Sequence, residues 1–89
     1  MPQADVILSA QFLGRLCEVE SDAIVDKVDK SLHLLETFPG MGSPIKRPAL
    51  EDRYGVDARK LVIGPYLVIY AFVGDEVHVL DLVPGYAVR

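Results

Sequence analysis

The sequence predicts an α+β fold in which a helical hairpin packs on one side of a mostly antiparallel sheet. Three runs rich in β-branched and aromatic residues lie in the C-terminal half, separated by Gly64-Pro65 and Gly74-Asp75. Such runs, punctuated by turn residues, are typical of consecutive strands. Two stretches with helical spacing of apolar residues precede them and follow one short apolar run. The expected order is therefore β-α-α-β-β-β, in two layers.

The run Tyr66–Val73 is expected to be the central strand of the sheet. It is apolar on both alternating faces, as in a strand that is covered on both sides. Val68 or Ile69 should therefore be almost fully buried. Its three aromatic side chains are Tyr66, Tyr70 and Phe72. We expect them to fill the core rather than to form a surface on which bases stack. The two flanking runs contain the polar residues Lys60, His78 and Asp81. Each of these two strands should therefore have one partly exposed face.

The N-terminal half predicts a strand followed by two helices. Asp5 to Leu8 is the expected strand, and Ser9 and Ser21 offer N-cap side chains for the helices. Phe38 should fold back on the core, where Pro39-Gly40 ends the second helix. The apolar positions of the first helix are Phe12, Leu13, Leu16, Cys17 and Val19. Those of the second helix are Ile24, Val28, Leu32 and Leu35.

Residues 39–57 lack a regular pattern because prolines and glycines interrupt them, although Ala49 to Arg53 fits one helical turn. A connection of this length is uncommon in a small domain and is often functional. It is the first candidate region for a binding site.

The composition predicts one globular domain. A chain of 89 residues with 51% hydrophobic residues has enough apolar surface for one core. No apolar run reaches the roughly 18 residues of a membrane span, and the N-terminus lacks the features of a signal peptide. Cys17 is the single cysteine, and we expect it packed on the apolar face of the first helix. A cytoplasmic protein is expected, since no internal disulfide can form.

The net charge of −4 is unevenly distributed. Residues 1–45 hold three basic and seven acidic residues, whereas residues 46–60 hold five basic and three acidic ones. An acidic chain is poorly suited to non-specific nucleic-acid binding, which depends on counterion release. The local basic cluster still offers candidates for binding a phosphate or a target protein, namely Arg47, Arg53, Arg59 and Lys60. A solvated loop is an equally good explanation for this cluster.

Three features together resemble the RelE/ParE superfamily of toxins from bacterial toxin–antitoxin modules. They are the end of the second helix, from Leu34 to Gly42, the core from Arg59 to Tyr70, and the hairpin before a final strand. The resemblance covers nearly the whole chain. It implies a RelE/ParE-like domain that is neutralised by a cognate antitoxin protein, with no cofactor and no metal. It leaves a homodimer open.

The two branches of this superfamily have different targets. RelE-like members are ribosome-dependent mRNA interferases, whereas ParE-like members bind and inhibit DNA gyrase and take part in plasmid stabilisation. The Phe38–Gly42 stretch and the compact length favour the ParE branch. An inactive member that binds only an antitoxin is a third possibility.

The resemblance to RelE-like nucleases transfers few site residues to this chain. Those enzymes hold the scissile phosphate with basic residues on the sheet and near the C-terminus, where they also use a tyrosine. Lys60 falls on one basic position and Arg89 lies near another, while His78 is a candidate for proton transfer. Ala58 and Leu67 stand at positions that are usually basic. Since losing a charge-stabilising donor costs orders of magnitude in rate, we predict no ribosome-dependent mRNA cleavage.

Overall fold

A computed structural model describes residues 4–45, 52–55 and 57–85 of the chain. The predicted elements are present, but an additional short strand, β2, interrupts the expected loop. Residues 52–54 are helical, whereas most of the turn predicted from Ala49 to Arg53 lies outside the described residues. In chain order the elements are β1 (Asp5–Leu8), α1 (Ala10–Cys17), α2 (Asp22–Thr37), β2 (Ser43–Pro44), β3 (Ala58–Ile63), β4 (Tyr66–Val73) and β5 (Glu76–Pro84).

The strands form one sheet in the order β1-β5-β4-β3-β2. β1 runs parallel to β5, and the other neighbouring strands are antiparallel. The prediction that β4 is central is confirmed, and both Val68 and Ile69 are fully buried. Ile69 pairs with Asp81 and Tyr70 pairs with Val79, so Leu80 is an extra residue that forms a bulge in β5.

Both predicted helix starts are confirmed. The Ser9 hydroxyl oxygen accepts a hydrogen bond from the backbone N–H of Phe12 at 3.1 Å, and that of Ser21 accepts one from Ile24 at 3.3 Å. Each satisfies an N–H that has no partner within the helix. Ser9 also donates to the carbonyl oxygen of Leu80 at 2.8 Å, which fixes the start of α1 to the bulge in β5.

Apolar side chains pack on both faces of the sheet. The face beneath the helices, the helix face, holds the larger core: Phe12, Val28, Leu35, Ile63, Val68, Tyr70, Val77, Val79 and Leu82. The opposite face, the loop face, holds a smaller core: Ile45, Ala58, Leu67, Ile69 and Val83. Tyr54 packs against this smaller core from the connection between β2 and β3. The connection therefore covers part of the loop face.

Three predicted core positions are wrong because no element covers them. Phe38 is 58% exposed, at the point where the backbone leaves the helical conformation after α2. Phe72 is 39% exposed. It lies beyond the pairing of β4 with β3, which begins at the Ala58–Ala71 pair. Cys17 is exposed at the last position of α1.

The prediction of a partly exposed face around Asp81 is also wrong. Lys60 and His78 are half-buried as expected, but Asp81 has no exposed surface. The bulge at Leu80 brings the carboxylate between α1 and the connection on the loop face. None of the helices in the described ranges has the length and apolar composition needed to cross a bilayer.

Candidate functional site

The segment after α2 is fastened to the sheet by Tyr70 and Arg59. The Tyr70 hydroxyl donates to the carbonyl oxygen of Pro39 and accepts from the N–H of Gly42, both at 2.9 Å. The Arg59 guanidinium donates to the carbonyl oxygens of Gly42 at 2.8 Å and Gly40 at 3.3 Å. These bonds hold a turn that has few hydrogen bonds of its own.

Gly42 is the position in this turn where a side chain has no room. A Cβ atom there would lie 2.6 Å from both the carbonyl oxygen of Lys60 and the hydroxyl of Tyr70. A Cβ at Gly40 would meet nothing within 4 Å. The glycine at the end of the Phe38–Gly42 stretch therefore has a packing role, which accounts for part of the sequence resemblance without any chemistry.

The basic residues proposed from sequence are not gathered into one site. Arg59 lies on the helix face and Lys60 on the loop face, because neighbouring residues of a strand point to opposite sides. Arg53 is exposed, with its guanidinium carbon 5.4 Å from the centre of the Tyr54 ring. Arg47 and Arg89 lie outside the described residues. Their roles, and that of Lys60, stay predictions.

Lys60 lies between Ser43 of β2 and the apolar residues of β4 on the loop face. Its partner on β4 is Ile69, which is fully buried. Leu67, at a position where the resemblance leads us to expect arginine, is 6% exposed and belongs to the same apolar core as Ala58. Among the residues that the structure describes, this part of the face is therefore occupied mainly by apolar packing.

His78 shares the loop face with Lys60 but lies two strands away. Its partner on β4 is Ala71, whose own partner on β3 is Ala58. With adjacent strands about 4.8 Å apart, the backbones of His78 and Lys60 are separated by on the order of 10 Å. The His78 Nε2 lies 3.3 Å from a carboxylate oxygen of Glu76. Within the described ranges, no group of three or more His, Cys, Asp or Glu side chains is placed to hold a metal ion.

The buried carboxylate of Asp81 joins three parts of the chain. Its Oδ2 accepts hydrogen bonds from the Tyr54 hydroxyl at 2.6 Å and from the Gln11 amide at 2.7 Å. Its Oδ1 accepts from the N–H of Leu82 at 2.8 Å and lies 3.5 Å from Nε of Arg15. Asp81 therefore connects α1 to the segment in front of β3 through the sheet.

Sequence reasoning did not identify this network. The available signal was an acidic residue inside an otherwise apolar strand, but the bulge that turns it inward is not visible in the sequence. Buried charges in proteins are normally paired and hydrogen-bonded, as here. The network is structural, and its partners are distributed over the chain from residue 11 to residue 82.

The hydrogen bond between Tyr54 and Asp81 predicts a stability change at alkaline pH. Burial, and then this hydrogen bond, raise the pKa of Tyr54 to about 12. Because the unfolded pKa is about 10, the neutral phenol stabilises the fold fully below about pH 10. That contribution is lost as the pH rises through about 12. We expect the free energy of unfolding, measured with urea at each pH, to fall less over this range in Tyr54→Phe. An equal fall in both proteins would contradict the prediction.

Solved structures of RelE proteins share this fold. An arginine-to-alanine double mutant of the E. coli toxin RelE in the free state is similar with a TM-score of 0.72 and 13% identity, over 96% of this chain and 86% of that one. RelE in the archaeal RelE–RelB complex from Pyrococcus horikoshii OT3 is similar with a TM-score of 0.61 and 19% identity, over 92% of this chain and 94% of the other.

Family membership follows from the sequence comparison. No curated protein sequence is significantly similar to this chain. The family model described as "ParE toxin of type II toxin-antitoxin system, parDE" matches residues 6–85. The match extends from β1 to the end of β5, and so includes both helices and the turn held by Tyr70. The chain therefore belongs to the family of ParE toxins of type II toxin–antitoxin systems.

Proposed function

We propose that this toxin acts by binding DNA gyrase and not by cleaving RNA. The observation that carries the proposal is the apolar packing around Lys60, where Leu67 and Ile69 are buried. Metal-independent cleavage of a phosphodiester needs positive groups placed around the charge that develops in the transition state. Within the described ranges, Lys60 beside buried aliphatic side chains offers little of that stabilisation.

The overall charge supports the same proposal. A net charge of −4 gives the protein a field that repels an RNA backbone instead of concentrating it. A protein target can be bound without such a field, through apolar and specific polar contacts. Binding to gyrase therefore requires fewer positive groups on this surface than ribosome-dependent RNA cleavage does.

We also infer that a cognate antitoxin neutralises the toxin by binding it. The structural relative from Pyrococcus horikoshii is a RelE in complex with RelB, and the matched family is that of toxins from two-component modules. The partner expected for this chain is a small protein of corresponding role.

A ribonuclease is the second candidate, and His78 favours it. A histidine paired with a carboxylate is a suitable general base, and the Nε2 of His78 lies 3.3 Å from Glu76. Its distance from Lys60, on the order of 10 Å, weakens this candidate. A phosphate would have to contact both side chains at once.

Expression in a bacterial host, with mRNA integrity and plasmid supercoiling both followed, tests the proposal. We expect intact mRNA, relaxed plasmid and inhibition of supercoiling by purified gyrase. Rapid codon-specific cleavage that Lys60→Ala or Arg89→Ala abolishes, and that Lys30→Ala leaves unchanged, would establish the ribonuclease instead. Lys30 is a matched control because it is an exposed cation on α2. Tight antitoxin binding without either effect would indicate an inactive member.

A further inference from the structure

Three large apolar side chains are exposed around the turn that follows α2. Phe38 and Met41 of the turn are 58% and 37% exposed, and Phe72 on β4 is 39% exposed. Phe72 lines a cavity of about 340 Å³ together with Gly40, which lies between Phe38 and Met41 in the chain. We call Phe38, Met41 and Phe72 the apolar patch. Their exposure shows that core packing does not account for these side chains.

The turn that carries this patch is held in place by the rest of the fold. The Tyr70 hydroxyl and the Arg59 guanidinium together make four hydrogen bonds to its backbone. The N–H of Met41 also donates to the carbonyl oxygen of Phe38 at 3.1 Å. A surface that is already ordered loses less conformational entropy when a partner binds. The turn is therefore suited to present apolar side chains to another protein.

Acidic residues lie around the apolar patch, and we call them the acidic rim. Asp57 lines the same cavity as Phe72. The other members lie at the end of α2 and around the turn after β4, and all are at least partly exposed: Glu36, Asp75 and Glu76.

The end of α2 and the turn after β4 are neighbours because both bond to the chain at the start of β1. The N–H of Ala4 donates to the carbonyl oxygen of Glu36 at 2.8 Å, and that of Asp5 donates to Asp75 at 2.9 Å. The acidic rim and the apolar patch therefore lie at the same end of the molecule.

The charge of the rim selects among the proteins that could cover the patch. Arg59 also lines the cavity, but its guanidinium already donates to Gly40 and Gly42. An apolar centre with a polar, solvent-accessible rim is the usual composition of a protein-binding surface. A negative rim is complementary to a positively charged partner. It disfavours a second copy of this chain, which would bring two acidic rims together.

We propose that the apolar patch and its acidic rim bind the positively charged surface with which DNA gyrase holds DNA, so that the toxin and DNA compete for gyrase. This proposal rests on the proposed function, which names gyrase as the target. A surface that holds DNA neutralises phosphates with lysines and arginines, and these would face the acidic rim. A few well-packed side chains at the centre of an interface provide most of the binding energy. Phe38 and Phe72 are the residues expected to do so here.

The charge of the whole chain supports the same partner. A net charge of −4 produces a field that attracts a basic surface and speeds association with it. The same field repels a DNA duplex. The toxin should therefore replace DNA on gyrase and should not bind the duplex itself.

Removing the two aromatic side chains is the first test. The probe is purified gyrase, titrated into the full-length toxin with a fluorophore on Cys17, which is exposed at the end of α1. We expect the double variant Phe38→Ala and Phe72→Ala to weaken binding by about 100-fold. The matched control is Leu13→Ala with Val62→Ala, two exposed apolar residues outside the patch. It should change binding by less than about threefold. Urea unfolding verifies that each variant is folded.

Reversing the charge of the rim is the second test. We expect the double variant Asp57→Lys and Asp75→Lys to weaken gyrase binding by at least about tenfold. The difference should shrink in high salt, because salt screens exposed charges. The variant Glu18→Lys and Glu20→Lys changes the net charge equally. These residues precede α2 whereas the patch follows it, and the 16 residues of α2 extend over about 24 Å. This control should weaken binding by less than about threefold.

Displacement by DNA identifies the surface of gyrase that the toxin contacts. A duplex that gyrase binds should release the labelled toxin, and unlabelled toxin should release a labelled duplex. If DNA leaves the toxin bound or tightens its binding, the proposal is overturned.

The remaining outcomes separate this proposal from the proposed function. If gyrase binds the wild type and both the patch and the rim variants equally, the docking surface is wrong while gyrase inhibition stands. If gyrase does not bind the wild type and keeps its supercoiling activity, both proposals fail. A toxin dimer that Phe38→Ala with Phe72→Ala abolishes would show that a second copy covers the patch, and this would also overturn the proposal.

Discussion

Replacing Gly42 with alanine is expected to lower the free energy of unfolding by about 3 kcal/mol, the upper end of the usual range for overpacking a packed site. The new Cβ would lie 2.6 Å from the carbonyl oxygen of Lys60. That oxygen belongs to β3, whose backbone pairs with both β2 and β4, so it cannot move away alone. The Tyr70 hydroxyl, also 2.6 Å away, would have to give up its bonds to Pro39 and Gly42. Urea unfolding followed by circular dichroism measures the loss.

Gly40→Ala is the matched control in the same turn. Its Cβ would meet no atom within 4 Å, so we expect a change of no more than about 0.5 kcal/mol. Tyr70→Phe separates the hydrogen bonds from the steric effect. It should cost about 1–2 kcal/mol, because it leaves partly buried backbone groups of Pro39 and Gly42 without this partner. The steric argument would be wrong if Gly42→Ala and Gly40→Ala were equally stable.

Replacing Asp81 with alanine is expected to destabilise the protein by about 3–4 kcal/mol. Three hydrogen bonds of 2.6–2.8 Å end on this carboxylate. The hydroxyl of Tyr54 and the amide of Gln11 would lose their partner, whereas the 42% exposed Arg15 side chain can be solvated again. For a domain of this size the melting temperature should fall by more than about 10 °C.

Asp29→Ala tests whether the stability lost in Asp81→Ala results from the burial of the Asp81 carboxylate. Asp29 is a carboxylate with 67% of its side chain exposed, and its removal should change stability by no more than about 0.5 kcal/mol. A double-mutant cycle of Asp81→Ala with Tyr54→Phe should show a coupling of about 1–2 kcal/mol, since the two side chains share one hydrogen bond. Additive losses would mean that the network does not act as a unit.

The sequence alone was sufficient for the features that depend on local chemistry. The caps at Ser9 and Ser21 follow from the hydrogen-bonding ability of serine at a helix start. The apolar stripe on α2 follows from helical spacing, and the buried Val28 and Leu35 confirm it. The central position of Tyr66–Val73 follows from its apolar residues on both faces. Each of these patterns is contained within one element.

The positions of the candidate site residues relative to one another were harder to predict from the sequence. The basic residues are close in the chain, but Arg59 and Lys60 lie on opposite faces of β3, and Arg59 donates to the turn at Gly42. The replacement of a basic residue by Leu67 was visible in the sequence. The sequence did not show that Leu67 joins a core covered by Ile45 and Tyr54. This packing depends on where the connection between β2 and β3 lies.

Only the tertiary structure decided which residues are covered. Whether Phe38, Phe72 and Cys17 are buried depends on how far neighbouring elements extend over them, and all three lie where an element or a strand pairing ends. The buried position of Asp81 depends on one extra residue in β5 and on partners far away in the chain. These are relations between distant segments, and hydrophobic periodicity within a segment carries no information about them.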